Sequence, residues 1–247
     1  MLGKPLLGAS ALLQGLGLLN TPGLRRFVAI PLLVNVLLFI GSIYVLAAQF
    51  SDLVNGWISY LPDWLLWLEW LFWVVFALTA LLLVFYTFSI LANIIAAPFN
   101  SLLAEAVEKH LTGEALPTGG SFIDALKSAP AAMLDELRKL GYMALLAIPL
   151  LILSILSMFI PIFAPLTPFL WMIFSAWMLA LEYGDYPMGN HQMRFGEQRA
   201  RLRRHKLLTL GFGGATLAAT MIPLVNFLVM PAAVAGATKL WVSQLKE

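Results

Sequence analysis

The chain has 247 residues, of which 61% are hydrophobic and only 11% charged, with a mean hydropathy of +0.87. A soluble globule holds about 45–50% apolar and about 25% charged residues, so the composition excludes a water-soluble fold and predicts an all-α integral membrane protein. Cysteine is absent, which removes disulfides, thiol catalysis and cysteine metal sites. The net charge of +2 is small, and its distribution matters more than its size.

In chain order, residues 5–20 are interrupted by Gly8, Gly15, Gly17 and Gln14 and lack a compact apolar region with a cleavage site. They read as an interfacial helix. Residues 27–50 carry no charge and are long enough for a full transmembrane span, which needs about 20 residues. Pro31 is expected to break or kink its first turns, moving the start of the span to near Leu32. Trp64, Trp67, Trp70 and Trp73 form an aromatic belt before a second uncharged span, 70–97.

Residues 98–139 predict amphipathic surface helices. Phe99, Leu102, Leu103, Ala106, Val107 and Leu111 recur at helical spacing, with Glu105, Glu108 and Lys109 opposite. Ser121 and Asp124 resemble a capping box opening the next helix. Residues 140–181 and 207–238 are again uncharged, but Pro161, Pro165 and Pro168 interrupt the first, and Pro223 and Pro231 bracket Asn226 in the second. Each reads as a proline-turned helical hairpin that penetrates only part of the bilayer, within a single membrane domain, 1–247. All fifteen Lys and Arg then fall on one side, and only acids (Asp52, Asp63 and Glu69) lie between the two full spans. The positive-inside rule makes the basic side cytoplasmic.

No catalytic constellation is visible, so an enzyme is not expected. No cofactor, metal or nucleic-acid partner is expected either. His110, His191 and His205 lack metal-ligand spacing, and Ser154, Ser157 and Ser175 lie in apolar runs where a hydroxyl bonds back to its own helix. Three segments carry charge in a suggestive setting. Thr21-Pro22-Gly23-Leu24-Arg25-Arg26 reads as an N-cap and first helical turn. Free backbone N–H groups, the helix dipole and two guanidiniums would there meet an oxyanion; the same arginines equally suit a topology signal flanking a span. The basic run with Arg194, Arg199, Arg201, Arg203, Arg204 and Lys206 suits anionic headgroups of membrane lipids, or an anion funnel. Glu182 and Asp185, at the exit of the first hairpin, suit either proton transfer or capping.

The ordered segments PGLRRF at 22–27, PLLVN at 31–35, IAAPFNSLLAE at 95–105, FSAWMLA at 174–180, YGDYPMGNH at 183–191 and MIPLVNFLVMP with AVAGAT near the end resemble the CysZ family of bacterial sulfate permeases. The resemblance covers nearly the whole chain. It implies sulfate uptake across the inner membrane, feeding cysteine biosynthesis, through two long transmembrane helices and two partly penetrating hairpins. It also implies a sulfate site at Gly23, Leu24, Arg25 and Arg26, and a homo-oligomer whose subunits oppose one another in the membrane. One-sided basic residues point away from opposed insertion, and both arrangements stay open. A nontransporting scaffold or lipid-binding assembly factor is the alternative.

Overall fold

The computed structural model describes residues 3–58, 60, 62–114 and 122–246. Among these every regular element is helical: α1 (Gly3–Leu18), α2 (Arg26–Ile58), α3 (Glu69–Thr112), α4 (Phe122–Phe159), α5 (Leu166–Asn190), α6 (Phe195–Arg204), α7 (Lys206–Thr220) and α8 (Pro223–Leu240), followed by a π-helical turn, Trp241–Leu245. Among the described residues four segments are long and apolar enough to cross a bilayer: Arg26–Val45, Met133–Phe159, Leu166–Asn190 and Val225–Leu245. This is a membrane protein. The chain divides into two compact units, Met1–Arg25 with Asn100–Glu247, and Arg26–Phe99.

The smaller unit holds α2 and the first part of α3. Leu33, Leu37, Ile40, Val75, Leu78 and Leu81 are all exposed along these helices, as suits a lipid-facing surface. Pro31 lies inside α2 and Pro98 inside α3, so Pro31 does not delay the helix to Leu32, and Pro98 does not start a new one. A proline removes one backbone donor, whereas opening a helix in hydrocarbon would strand several polar groups. Residues 98–112 are accordingly the end of α3 rather than a separate surface helix. In the same way α4 continues from Phe122 through the junction at 139–140. Ser121 and the Asp124 side chain of the expected capping box lie outside the described residues.

In the larger unit α1 is not an interfacial helix. It packs against both α7 and α8 through Gly8, Ala11, Leu12 and Gly15, positions that share one helical face. A Cβ on Gly8 would strike the Leu208 carbonyl, and one on Gly15 the Ala232 carbonyl. Glycines that look like interruptions are therefore the contact surface, since small residues let helices in lipid approach backbone to backbone. Across the same core, α7 meets α5 where Gly213 lies on the Ala176 carbonyl. Ala232, Ala233, Val234 and Ala235 of α8 are buried, and Thr216 and Thr238 return their hydroxyls to Phe212 and Val234 carbonyls at 2.9 and 2.8 Å.

Helices α4 and α5 form the first hairpin. Trp177 Nε1 donates to Tyr142 Oη at 3.1 Å and Trp171 Nε1 to Ser154 Oγ at 2.9 Å, which fixes an antiparallel register. Ser154 and Ser157 donate back to the Leu150 and Ser154 carbonyls at 2.7 Å each. The turn is a single 3₁₀ segment, Pro161–Phe163. Helix α5 extends to Asn190 through Pro187, so the second arm is longer than the uncharged run suggests. In the second hairpin the turn falls at Met221 and Ile222, with Pro223 opening α8. Asn226, expected at the turn, is helical and donates its N–H to the Ile222 carbonyl at 2.9 Å.

Candidate functional site

The segment predicted to bind an anion is a turn rather than the first turn of a helix. Leu24 N–H reaches the Thr21 carbonyl at 3.1 Å, and Gly23 takes φ +92°, a conformation that a side chain would strain. Helix α2 opens at Arg26, not at Pro22. Thr21 is therefore not its N-cap. The turn is held in the larger unit by Leu24, which is buried. Gly23 and Arg25 are exposed beside it. Arg25 Nε donates to the Asn20 carbonyl at 2.9 Å. Its two Nη groups have no partner among the described residues, leaving a planar fork free for an oxyanion. Arg26 begins the smaller unit with its guanidinium 4.8 Å from the Phe27 ring centroid.

The basic run at 194–206 is not one uniform patch. Arg194 pairs with Asp135 at 2.8 Å, and its N–H donates to Glu197 at 3.1 Å. Arg199 stacks over Tyr142 at 4.9 Å. Arg201 donates to the Leu245 carbonyl and lies 5.4 Å from the Trp241 ring, so it fastens the carboxy-terminal turn. Arg203, Arg204 and Lys206 are exposed.

Glu182 and Asp185 do not cap a turn, because α5 runs on past them. They surround Lys139, whose Nζ lies 2.6 Å from Glu182 and 3.6 Å from Asp185. The lysine side chain is only 10% exposed, and a charge so placed needs its partners. Gln198 Nε2 adds a hydrogen bond to Asp185 at 2.7 Å, which ties α6 into the same cluster.

One cluster has no sequence signal. Glu108, assigned by periodicity to the polar face of its helix, is 2% exposed. His191 Nε2 lies 2.9 Å from both of its oxygens, and Lys246 Nζ 3.1 Å from one. Beside it, Ser101 Oγ donates to Asn190 at 2.6 Å, and Asn190 Nδ2 to the Ser101 carbonyl at 2.9 Å. His191 is placed by the end of α5: Met193 N–H returns to the Met188 carbonyl and Gln192 N–H to that of Gly189, a Schellman closure, with Gln192 at φ +59°. Nothing short of the fold brings positions 108, 191 and 246 together. Among the described residues no group of three or more His, Cys, Asp or Glu is arranged to hold a metal.

Two relatives match almost end to end. A protein of Pectobacterium atrosepticum named sulfate transporter CysZ is 44% identical over 241 residues, spanning 97% of this chain and 86% of the relative. One of the same name from Pseudomonas fluorescens is 43% identical over 237 residues, 96% of this chain and 93% of the relative. The family described as sulfate transporter CysZ/etoposide-induced protein 2.4 matches residues 11–231. The chain belongs to that family.

Proposed function

We propose that this protein carries sulfate across the bacterial inner membrane by a channel-like or facilitated route, supplying sulfur for cysteine synthesis. What carries the reading is its near full-length match to relatives named sulfate transporter, at 44% identity over 97% of the chain. The turn before α2 supports it chemically. Sulfate is held by Gly23, Leu24, Arg25 and Arg26: the glycine's positive φ sets the turn, and the arginines offer charge-assisted donors. Moving one charge through 100 mV is worth about 2.3 kcal/mol, so a dianion entering a negative interior costs about 4.6 kcal/mol. Uncoupled entry therefore depends on metabolism keeping internal sulfate low.

Both hairpins enter from the cytoplasmic side and turn within the membrane, and the protein works as a homo-oligomer, one subunit being too small to enclose a dianion pathway. The hairpin tips support embedding. Phe159 is 77% exposed and Met221 66%, unlike the polar residues of a loop in water. Pro161, Pro165, Pro168 and Pro223 bring no N–H donors to the turns, which lowers the cost of irregular backbone in hydrocarbon.

The test is sulfate affinity and uptake by purified protein in liposomes. Charge-assisted hydrogen bonds contribute about 1.5–3 kcal/mol, so Arg25→Ala or Arg26→Ala should weaken binding by about tenfold to a hundredfold. Lysine at either position should rescue only in part, because it loses the fork. Gly23→Val should impair binding without altering charge, through strain at φ +92°. Normal binding in all of these variants would reduce the arginines to topology signals. Absence of uptake by correctly inserted wild type would favour the scaffold reading.

A further inference from the structure

An open groove with a cavity volume of about 460 Å³ runs along the first hairpin, where α4, α5 and α7 meet. Its walls are Leu146, Leu150, Leu170, Ile173, Phe174 and Leu210, and its other lining residues are Tyr142, Trp177, Arg203 and Lys206. The register of α4 and α5 separates these two sets. Tyr142 faces Trp177, while Ser154, one turn beyond Leu150, faces Trp171 next to Leu170. The polar residues thus gather at one end, and the apolar trough extends from Tyr142 to Leu150, eight residues or about 12 Å along α4.

The charges at the polar end are unbalanced. The acid nearest in sequence, Glu197, accepts the Arg194 N–H; Glu182 and Asp185 are engaged with Lys139, and Asp135 with Arg138 and Arg194. Arg203 and Lys206 have no carboxylate partner among the described residues. Tyr142 Oη accepts from Trp177, and its own hydrogen has no acceptor among the described residues. Arg199 adds a third cation over the Tyr142 ring at 4.9 Å.

The geometry points to a site for one anionic phospholipid, with an acyl chain along the Leu146–Leu150 trough and its phosphate against Arg203, Lys206 and the Tyr142 hydroxyl. An acyl chain gains little hydrophobic energy by moving from bilayer to groove, because lipid tails are as apolar as leucine. Preference must therefore come from the headgroup. Apolar walls alone would take any lipid, whereas an unbalanced pair of cations selects a negative one. Zwitterionic phosphatidylcholine carries the same chains and phosphate but places a compensating cation where the arginine and lysine stand.

Native mass spectrometry of the full chain, delipidated and titrated with phosphatidylglycerol or phosphatidylcholine, tests the site. Wild type should retain one phosphatidylglycerol in preference to phosphatidylcholine. Arg203→Gln with Lys206→Gln should lower that retention about tenfold to thirtyfold, at roughly fivefold per juxtamembrane cation. Arg204→Gln, which removes an exposed neighbouring charge outside the groove, should leave it unchanged. Leu146→Trp should lower retention by filling the trough while every charge remains. Equal losses from Arg204→Gln and the groove pair would mean diffuse attraction and overturn the site. Retention unaffected by the groove pair, or by Leu146→Trp, would overturn it as well. Displacement of the lipid by glycerol phosphate or inorganic sulfate at matched concentration would show that an anion alone is bound.

Discussion

Glu108 is a carboxylate in a place that disfavours charge. It is buried to 2% exposure in the last turn of α3, where the helix dipole is negative. Two side chains, an imidazole and an ammonium, reach it from distant parts of the chain, and both remain partly in solvent: His191 at 22% and Lys246 at 44% exposure. Removal of the two kinds of partner should therefore differ in cost. His191→Ala leaves the buried acid with Lys246 alone, and losing a hydrogen bond to a charged group costs about 1.5–3 kcal/mol. Glu108→Gln keeps an acceptor for His191 and frees Lys246 to turn to water, so its cost should be smaller. Thermal unfolding in detergent should rank His191→Ala as the more destabilising, and the double variant should fall short of the sum by about 1–3 kcal/mol. Additive effects would mean that the contact contributes nothing to stability. The position shows why residue-scale reading of the sequence stopped where it did. Spacing placed Glu108 on a polar face correctly for an isolated helix, but it carries no information about what α5 and the carboxy terminus bring to that face. The Arg25–Arg26 segment could be singled out as a candidate because its residues are contiguous, although the turn that presents them was mistaken for a helix start.

At the scale of elements, the long apolar runs made the helices legible, and the prolines and glycines within them were the source of error. Pro31, Pro98, Pro187 and Pro231 all lie inside helices, because in hydrocarbon a broken ladder costs more than one missing donor. Glycines in α1 read as interruptions of an apolar run, whereas in the fold Gly8 and Gly15 let the helix pack closely. That role gives a paired expectation on a single helix. Gly15→Val should destabilise the protein by about 1–3 kcal/mol or more, since the overpacked neighbour is the Ala232 carbonyl backbone and cannot swing aside. Gly17→Ala, two residues on, meets nothing within 4 Å and should be neutral, or stabilising by up to about 1 kcal/mol through helix propensity. Detergent melting of the two variants checks the contrast, and equal effects would remove α1 from the core.

At the scale of the whole molecule, the open quantity is depth in the bilayer. Helix α7 has 15 residues and so spans about 22 Å, short of a hydrocarbon layer of about 30 Å. That length supports the proposed second hairpin, in which a chain entering at Lys206 turns before reaching the far side. The first hairpin is different: its α4 span, Met133–Phe159, has 27 residues, which length alone would allow to cross. What argues for retention there is the chemistry of the tip, where Met158, Phe159 and Ile162 are exposed and would meet water if the turn emerged. The absence of native cysteine allows single-site labelling without background. Tyr60→Cys, between α2 and α3, should react in intact spheroplasts with a membrane-impermeant maleimide. Thr167→Cys and Asn226→Cys should stay protected under the same conditions and react only after detergent is added. Labelling of Asn226→Cys from outside would contradict the length of α7 and sink the embedded second hairpin. Labelling of Thr167→Cys alone would make α4 and α5 full crossings and leave only the second hairpin within the membrane.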